Sequence, residues 1–178
     1  MARSARKIFG GIPQQGICPC VYIRFFAYRA AEQPKIIAFE SVYSMNGAVA
    51  PLKEIVHLAK KYRAFTYLDE VHGVGLYGEK GAGQAEKQGL SDQIDIIQGT
   101  LGKAVGLMGG YIAGRKQVID YIRSFAPGFI FTTSLPPAVA AGASESLEII
   151  QKGEHLRQKQ RENVLALKTS LSQADIPY

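Results

Sequence analysis

The chain has 178 residues, of which 47% are hydrophobic and 20% charged, with a net charge of +6. This is long enough for one domain with a core and too apolar for a disordered chain. Its apolar runs fall far short of the roughly 18–20 residues that cross a bilayer. Its basic residues are scattered except at the two ends, without the aromatic clustering of a nucleic-acid surface, so the charge fits an anionic small molecule or cofactor equally well.

Met1-Ala2-Arg3-Ser4 leads into Arg6 and Lys7 without an apolar stretch, so no secretory signal is expected. Cys18 and Cys20 stand one residue apart, too few for a zinc site and badly placed for a disulfide. They are expected to be reduced thiols, and no metal site is expected. Residues 1–34 form a divergent segment: "GICPCVYIRFFAYRAAEQ" has neither clean alternation nor a helical stripe.

Regularity begins at Pro34. "KIIAFE" (35–40) is a nearly continuous apolar run, the pattern of a buried parallel strand. Pro51 is placed to open a helix at its first position, with Leu52, Ile55, Val56, Ala59 and Tyr62 on one face. Further strands are expected at "FTYLD" (65–69), "IDIIQ" (94–98), "GYIAG" (110–114) and "FIFTT" (129–133), and helices at 116–125 and 136–151. A polar helix follows over 154–173, with Leu156, Val164, Leu167 and Leu171 as a sparse stripe too weak for full burial. Strands alternating with helices imply an α/β fold with a mostly parallel sheet.

In such sheets ligands sit beyond the carboxyl ends of the strands. There the chain delivers Ser44 after the first strand, Asp69, Glu70 and His72 after the second, Thr100 and Lys103 after the third, and Thr132, Thr133 and Ser134 after the fifth. "GTLGKAVG" (99–106) is not a phosphate-binding P-loop, because its glycines are too close and Ala104 stands where Ser or Thr is required. "GEKGAG" (78–83) reads more simply as a flexible loop than as a phosphate loop. Taken singly, Asp69 also fits a helix N-cap, His72 a structural histidine and Lys103 a solvated turn lysine. Taken together they suit pyridoxal phosphate, which needs a lysine for the Schiff base, an acid at the pyridine nitrogen and hydroxyl or backbone donors for its phosphate.

"FESVYSMNG", "TYLDEVHGVGLYG", "DIIQGTLGKAVG", "GGYIAG" and "RSFAPGFIFTTSLPP", in this order and spacing, resemble the 5-aminolevulinate synthase family of the α-oxoamine synthases. The resemblance covers about residues 34–178. It implies the large domain of the aminotransferase type I fold, incomplete here, with a partial cofactor-binding domain over 35–153. Residues 154–178 would connect to a C-terminal domain. Lys103 resembles the Schiff-base lysine, Asp69 the acid at the pyridine nitrogen, and His72 the histidine at the cofactor's phenolic oxygen. Ser44 and Thr100 resemble cofactor-contacting hydroxyls. Thr132 and Thr133 resemble the pair that reaches the neighbouring subunit's cofactor phosphate.

The implied reaction condenses glycine with succinyl-CoA to 5-aminolevulinate, CoA and carbon dioxide, the entry to haem synthesis. The implied assembly is a homodimer with active sites at its interface, without nucleic-acid or membrane partners, in a bacterial cytoplasm or a mitochondrial matrix. Another α-oxoamine synthase with a different acyl-CoA, or a non-catalytic remnant, are the alternatives. The chain departs from the family at Arg63, Asn46 and Val105, where Gly, Asp and Phe are usual, and over residues 1–34. The family's N-terminal glycine-rich phosphate contacts, ring-stacking residue and carboxylate-binding arginine have no counterpart in these segments. The chain by itself is therefore expected not to form 5-aminolevulinate.

Overall fold

A computed structural model describes residues 34–178. The divergent segment and both cysteines lie outside the described residues, apart from Pro34. The described chain runs β1 (Lys35–Glu40), α1 (Leu52–Tyr62), β2 (Ala64–Asp69), α2 (Gln84–Lys87), a short 3-10 turn (Ser91–Gln93), β3 (Ile96–Thr100) and β4 (Gly110–Gly114). Four helices follow: α3 (Lys116–Phe125), α4 (Pro127–Ile130), α5 (Pro137–Lys152) and α6 (Glu154–Gln173).

The strands form one sheet in chain order, β1-β2-β3-β4. β1, β2 and β3 are parallel, whereas β4 runs antiparallel to β3. The reversal follows from the connections. Helix-containing crossovers join the parallel strands, but only residues 101–109 separate β3 from β4, less than a parallel return needs.

The core lies between the sheet and α1. Leu52, Ile55, Val56 and Ala59, the expected helix face, pack with Ile37, Phe39, Leu68, Leu90 and Ile94, while Tyr62 is exposed. Pro51 stands just before the helix rather than at its first position, with its carbonyl accepting the N–H of Ile55. The apolar run of β1 had implied a strand buried on both faces. Instead it alternates, with Ile37 and Phe39 buried against α1 but Ile36 66% exposed, because among the described residues only the α1 face of β1 is covered. A second, smaller cluster joins Leu101, Val105 and Ala143, and ties the β3–β4 loop to α5.

The expected strand at 129–133 is not formed. Pro127 sits in the first turn of α4, where its fixed φ suits a helix start, and the N–H groups of Phe129 and Ile130 turn back onto the Ala126 carbonyl. Local turn bonds thus replace a ladder, and Phe131 is left 85% exposed. Helix α6 matches its expected span, and its apolar stripe remains largely uncovered, with Leu156, Val164 and Leu167 all exposed. Among the described residues no helix is long and apolar enough to cross a membrane.

Two departures from the family pattern have simple consequences. Asn46 preserves a local turn, its side-chain oxygen accepting the N–H of Ala48 at 3.0 Å. Arg63 ends α1 in the left-handed region at φ 52°, where a side chain is disfavoured and glycine is not. Arg63→Gly should therefore stabilise the chain by about 0.5–1 kcal/mol after allowing for the extra freedom of glycine in the unfolded state. Urea unfolding midpoints measure this; an unchanged or lower midpoint would contradict it.

Candidate functional site

Parallel pairing assembles the site. Glu40 at the end of β1 lies opposite Asp69 at the end of β2, and Asp69 opposite Gln98 in β3. Beyond the ladder, Ser41 N–H donates to the Asp69 carbonyl and Glu70 N–H to the Gln98 carbonyl, both at 2.9 Å. The segments that follow the three strands thus leave from one edge. A tight turn after β2, in which Gly73 and Val74 donate to the Glu70 carbonyl, carries His72. Asp69 braces the start of that turn by accepting the N–H of Val71 at 2.8 Å.

His72 connects two of these segments. Its Nδ1 lies 3.2 Å from Glu40 Oε2, and its Nε2 contacts Lys103 Nζ. Glu40 Oε2 also accepts the backbone N–H of Ser44 at 3.1 Å. Lys103 stands in the β3–β4 loop, whose turn closes through a bond from Gly106 N–H to the Lys103 carbonyl. Thr100 shapes the same loop: its hydroxyl donates to the Gly109 carbonyl at 3.0 Å and accepts the N–H of Gly102 at 3.1 Å.

Of the residues singled out in the sequence, the structure brings Lys103 to His72, joins His72 through Glu40 to Ser44, and sets Asp69 at the root of the same turn. Thr132 and Thr133 lie on the exposed segment after α4, where the Thr132 hydroxyl donates to the Gly128 carbonyl at 2.6 Å. Among the described residues no hydrogen bond links them to Lys103, Asp69 or His72.

Sequence reasoning overlooked the roles of Glu40 and Glu70. Glu70 is fully buried. It accepts the hydroxyl of Ser41 and the backbone N–H groups of Gln84 (3.2 Å) and Ala85 (2.7 Å). A Cβ on Gly73 would stand 2.2 Å from Glu70 Oε2, and one on Gly83 would stand 2.5 Å from the same carboxylate. Glycine at both places lets two loops close on one carboxyl group. The signal available was an acid directly after a strand with glycines at both flanking approaches.

The loop expected to be flexible, 78–83, is likewise closed. Lys80 and Ala82 donate their N–H groups to the Glu86 carboxylate, and Arg157 of α6 donates to the Glu79 carbonyl. These amides already hold a carboxylate, so the loop is not a phosphate cradle.

Burial raises the Glu70 carboxyl above the ordinary glutamate range, partly offset by its three hydrogen bonds, with the Asp69 charge adding to the rise. The Tyr111 phenol is also raised, by burial and by the charges of Glu70 and Asp69. Its ring covers Gly99, where a Cβ would stand 2.5 Å from the phenol oxygen.

As a donor set, an amine, an imidazole, a carboxylate and nearby hydroxyls suit a group carrying an aldehyde, a basic ring nitrogen and an anionic substituent. The amine–imidazole contact is the observation that makes the fit. It sets an exposed lysine amine directly against an imidazole nitrogen at the sheet edge.

The family model for aminotransferase class I and II matches residues 26–178. A 5-aminolevulinate synthase of Rhizobium meliloti is 56% identical over 145 residues, covering 82% of this chain and 36% of the relative. A mitochondrial 5-aminolevulinate synthase of Schizosaccharomyces pombe is 58% identical over 146 residues, covering 82% and 26%. Among solved structures, SPT with PLP superposes with a TM-score of 0.77 at 39% identity, covering 82% of this chain and 36% of that one. An 8-amino-7-oxononanoate synthase from Francisella tularensis superposes at 0.69 and 26% identity, covering 82% and 43%. The chain spans between about a quarter and about a third of the length of these curated relatives.

Glu70 generates a pH test. Its folded value lies above the usual 4.5, so the folded state holds the proton more tightly than the unfolded chain. Stability from this group is full below the unfolded value and is lost as pH rises through the raised folded value. Urea midpoints from acid to neutral pH should fall in the parent relative to Glu70→Gln, which has no such titration. Parallel curves would contradict the assignment.

Proposed function

We propose that this chain, which belongs to the aminotransferase class I and II family, holds pyridoxal phosphate at the strand ends and serves 5-aminolevulinate synthesis. The reaction is the condensation of glycine with succinyl-CoA, releasing CoA and carbon dioxide. The observation that carries the cofactor reading is the contact of Lys103 Nζ with His72 Nε2, beside Asp69 at the same sheet edge. The identity of 53–58% to several 5-aminolevulinate synthases favours this substrate pair over the acyl-CoA of another α-oxoamine synthase, whose solved relatives stand at 39% and below.

Each residue has a distinct role in this reading. Lys103 Nζ would hold the cofactor through its aldehyde carbon, with loss of water, and as a free amine would accept the α-proton of glycine. Asp69 keeps a proton on the ring nitrogen, because an adjacent carboxylate favours the cationic form. His72 bonds the phenolic oxygen, and Ser44 and Thr100 supply further polar contacts. When bound, the cofactor supplies an electron sink for a substrate carbanion.

Residues 35–153 serve as part of the cofactor-binding domain and 154–178 as the connector toward the remainder of the enzyme. Thr132 and Thr133 reach the phosphate held by a second copy in a homodimer. The exposure of Tyr121, Phe125, Phe129 and Phe131 supports that reading, since it leaves four aromatic rings within eleven residues for a partner to cover. A bacterial cytoplasm or mitochondrial matrix is the proposed location, in keeping with the bacterial and mitochondrial relatives.

Substitutions at the acid and the amine test the site by absorbance. The chain should develop a visible band with pyridoxal phosphate that Lys103→Ala lacks. Asp69→Asn should keep the band but weaken cofactor retention about 10- to 100-fold, the loss of one charge-assisted hydrogen bond. A Lys103→Ala chain with the parental band, or an Asp69→Asn chain with parental retention, would contradict the assignment. In a protein that joins these residues to the full length of its relatives, Lys103→Ala should abolish 5-aminolevulinate formation.

A further inference from the structure

We infer that Glu40 is a positioning residue that fixes the His72 imidazole with its proton on Nδ1, so that the Nε2 lone pair faces Lys103. The argument uses only donor and acceptor chemistry. A carboxylate accepts and cannot donate, and a lysine ammonium donates and cannot accept. Glu40 Oε2 lies 3.2 Å from Nδ1, and Lys103 Nζ contacts Nε2. The arrangement Nδ1–H with a bare Nε2 satisfies both neighbours. The opposite tautomer would set a lone pair against the carboxylate and an N–H against the ammonium.

Glu40 is itself held. The same oxygen accepts the N–H of Ser44 at 3.1 Å, and the strand-end pairing with Asp69 fixes its backbone. Glu40 and His72 are both partly buried, with side-chain exposures of 31% and 24%, so water competes only in part for their bond.

The consequence is a proton balance within the pair. Transfer of one proton from Lys103 Nζ to His72 Nε2 leaves a neutral amine and an imidazolium, with net charge unchanged and Nδ1–H still donated to Glu40. The amine lone pair is then free to attack a carbonyl carbon. This consequence rests on the proposed cofactor site; the tautomer does not. The same acid–imidazole logic orients the ring in a hydrolase triad, here with an amine in place of a hydroxyl.

The test is long-range proton–nitrogen correlation NMR on the cofactor-free 178-residue chain with nitrogen-labelled histidine, at a pH where the ring is neutral. His72→Asn identifies the His72 signals against those of His57 and His155. In the parent, Nδ1 should carry the proton. Glu40→Met keeps the length but removes the acceptor, and should shift the tautomer ratio toward Nε2–H on the order of tenfold, the worth of one such bond. Glu40→Gln, whose amide oxygen still accepts, should retain most of the parental ratio. Lys103→Met, at an exposed position, should keep Nδ1–H because Glu40 remains.

An Nε2–H tautomer in the parent would overturn the inference. So would loss of the Nδ1–H tautomer in Lys103→Met, or its full retention in a folded Glu40→Met. If Glu40→Met does not fold, the parent and Lys103→Met decide the matter. No cofactor is present in these measurements, so failure of pyridoxal phosphate to bind would sink the site reading and leave the tautomer result standing.

Discussion

The parallel register of the first three strands is the constraint on which the rest depends. Pairing Glu40 with Asp69 and Asp69 with Gln98 makes three chain segments leave the sheet at one edge. A register slip of one residue in β2 would turn Asp69 to the other face and carry the His72 turn with it. The register is held by burial on the other side of the ladder. Ile37, Phe39 and Leu68 alternate toward α1, and none of them reaches that core from a shifted strand.

Glu70 converts the register into a fixed loop geometry. A buried carboxyl is costly unless its oxygens are bonded, and Ser41, Gln84 and Ala85 supply the donors. The group thereby ties the segments after β1 and β2 to the start of α2, close to the turn that carries His72. Arg157 extends the tie to α6: it is buried, donating to the Ile150 and Glu79 carbonyls and pairing with Glu154. The sheet edge and the last helix are thus joined through one loop, 78–83. In the proposed enzyme the connector helix is anchored to the cofactor side of the domain by this loop.

Much of this was legible in the order of residues. Apolar periodicity placed β1, β2 and α1 to within a residue or two, because one dominant core selects each pattern. It placed β4 but not its direction, which depends on the short connection after Thr100 rather than on β4 itself. It failed at 129–133, where an aromatic, β-prone run follows Pro127 and Gly128 and local turn bonds win. The candidate site was legible as residue types at strand ends, since Asp69 closes β2 and His72 and Lys103 each lie three residues beyond a strand. Glu40 and Glu70 were not. Their roles rest on contacts between segments about 30 residues apart, which spacing along the chain does not reveal.

The account's central claim is that Lys103 is the residue that joins the cofactor. The most direct measurement is borohydride reduction of the chain incubated with pyridoxal phosphate, followed by peptide mapping. The account predicts a pyridoxyl group on Lys103 as the main product. A label distributed over Lys60, Lys61 and Lys116, with Lys103 unmodified, would contradict it.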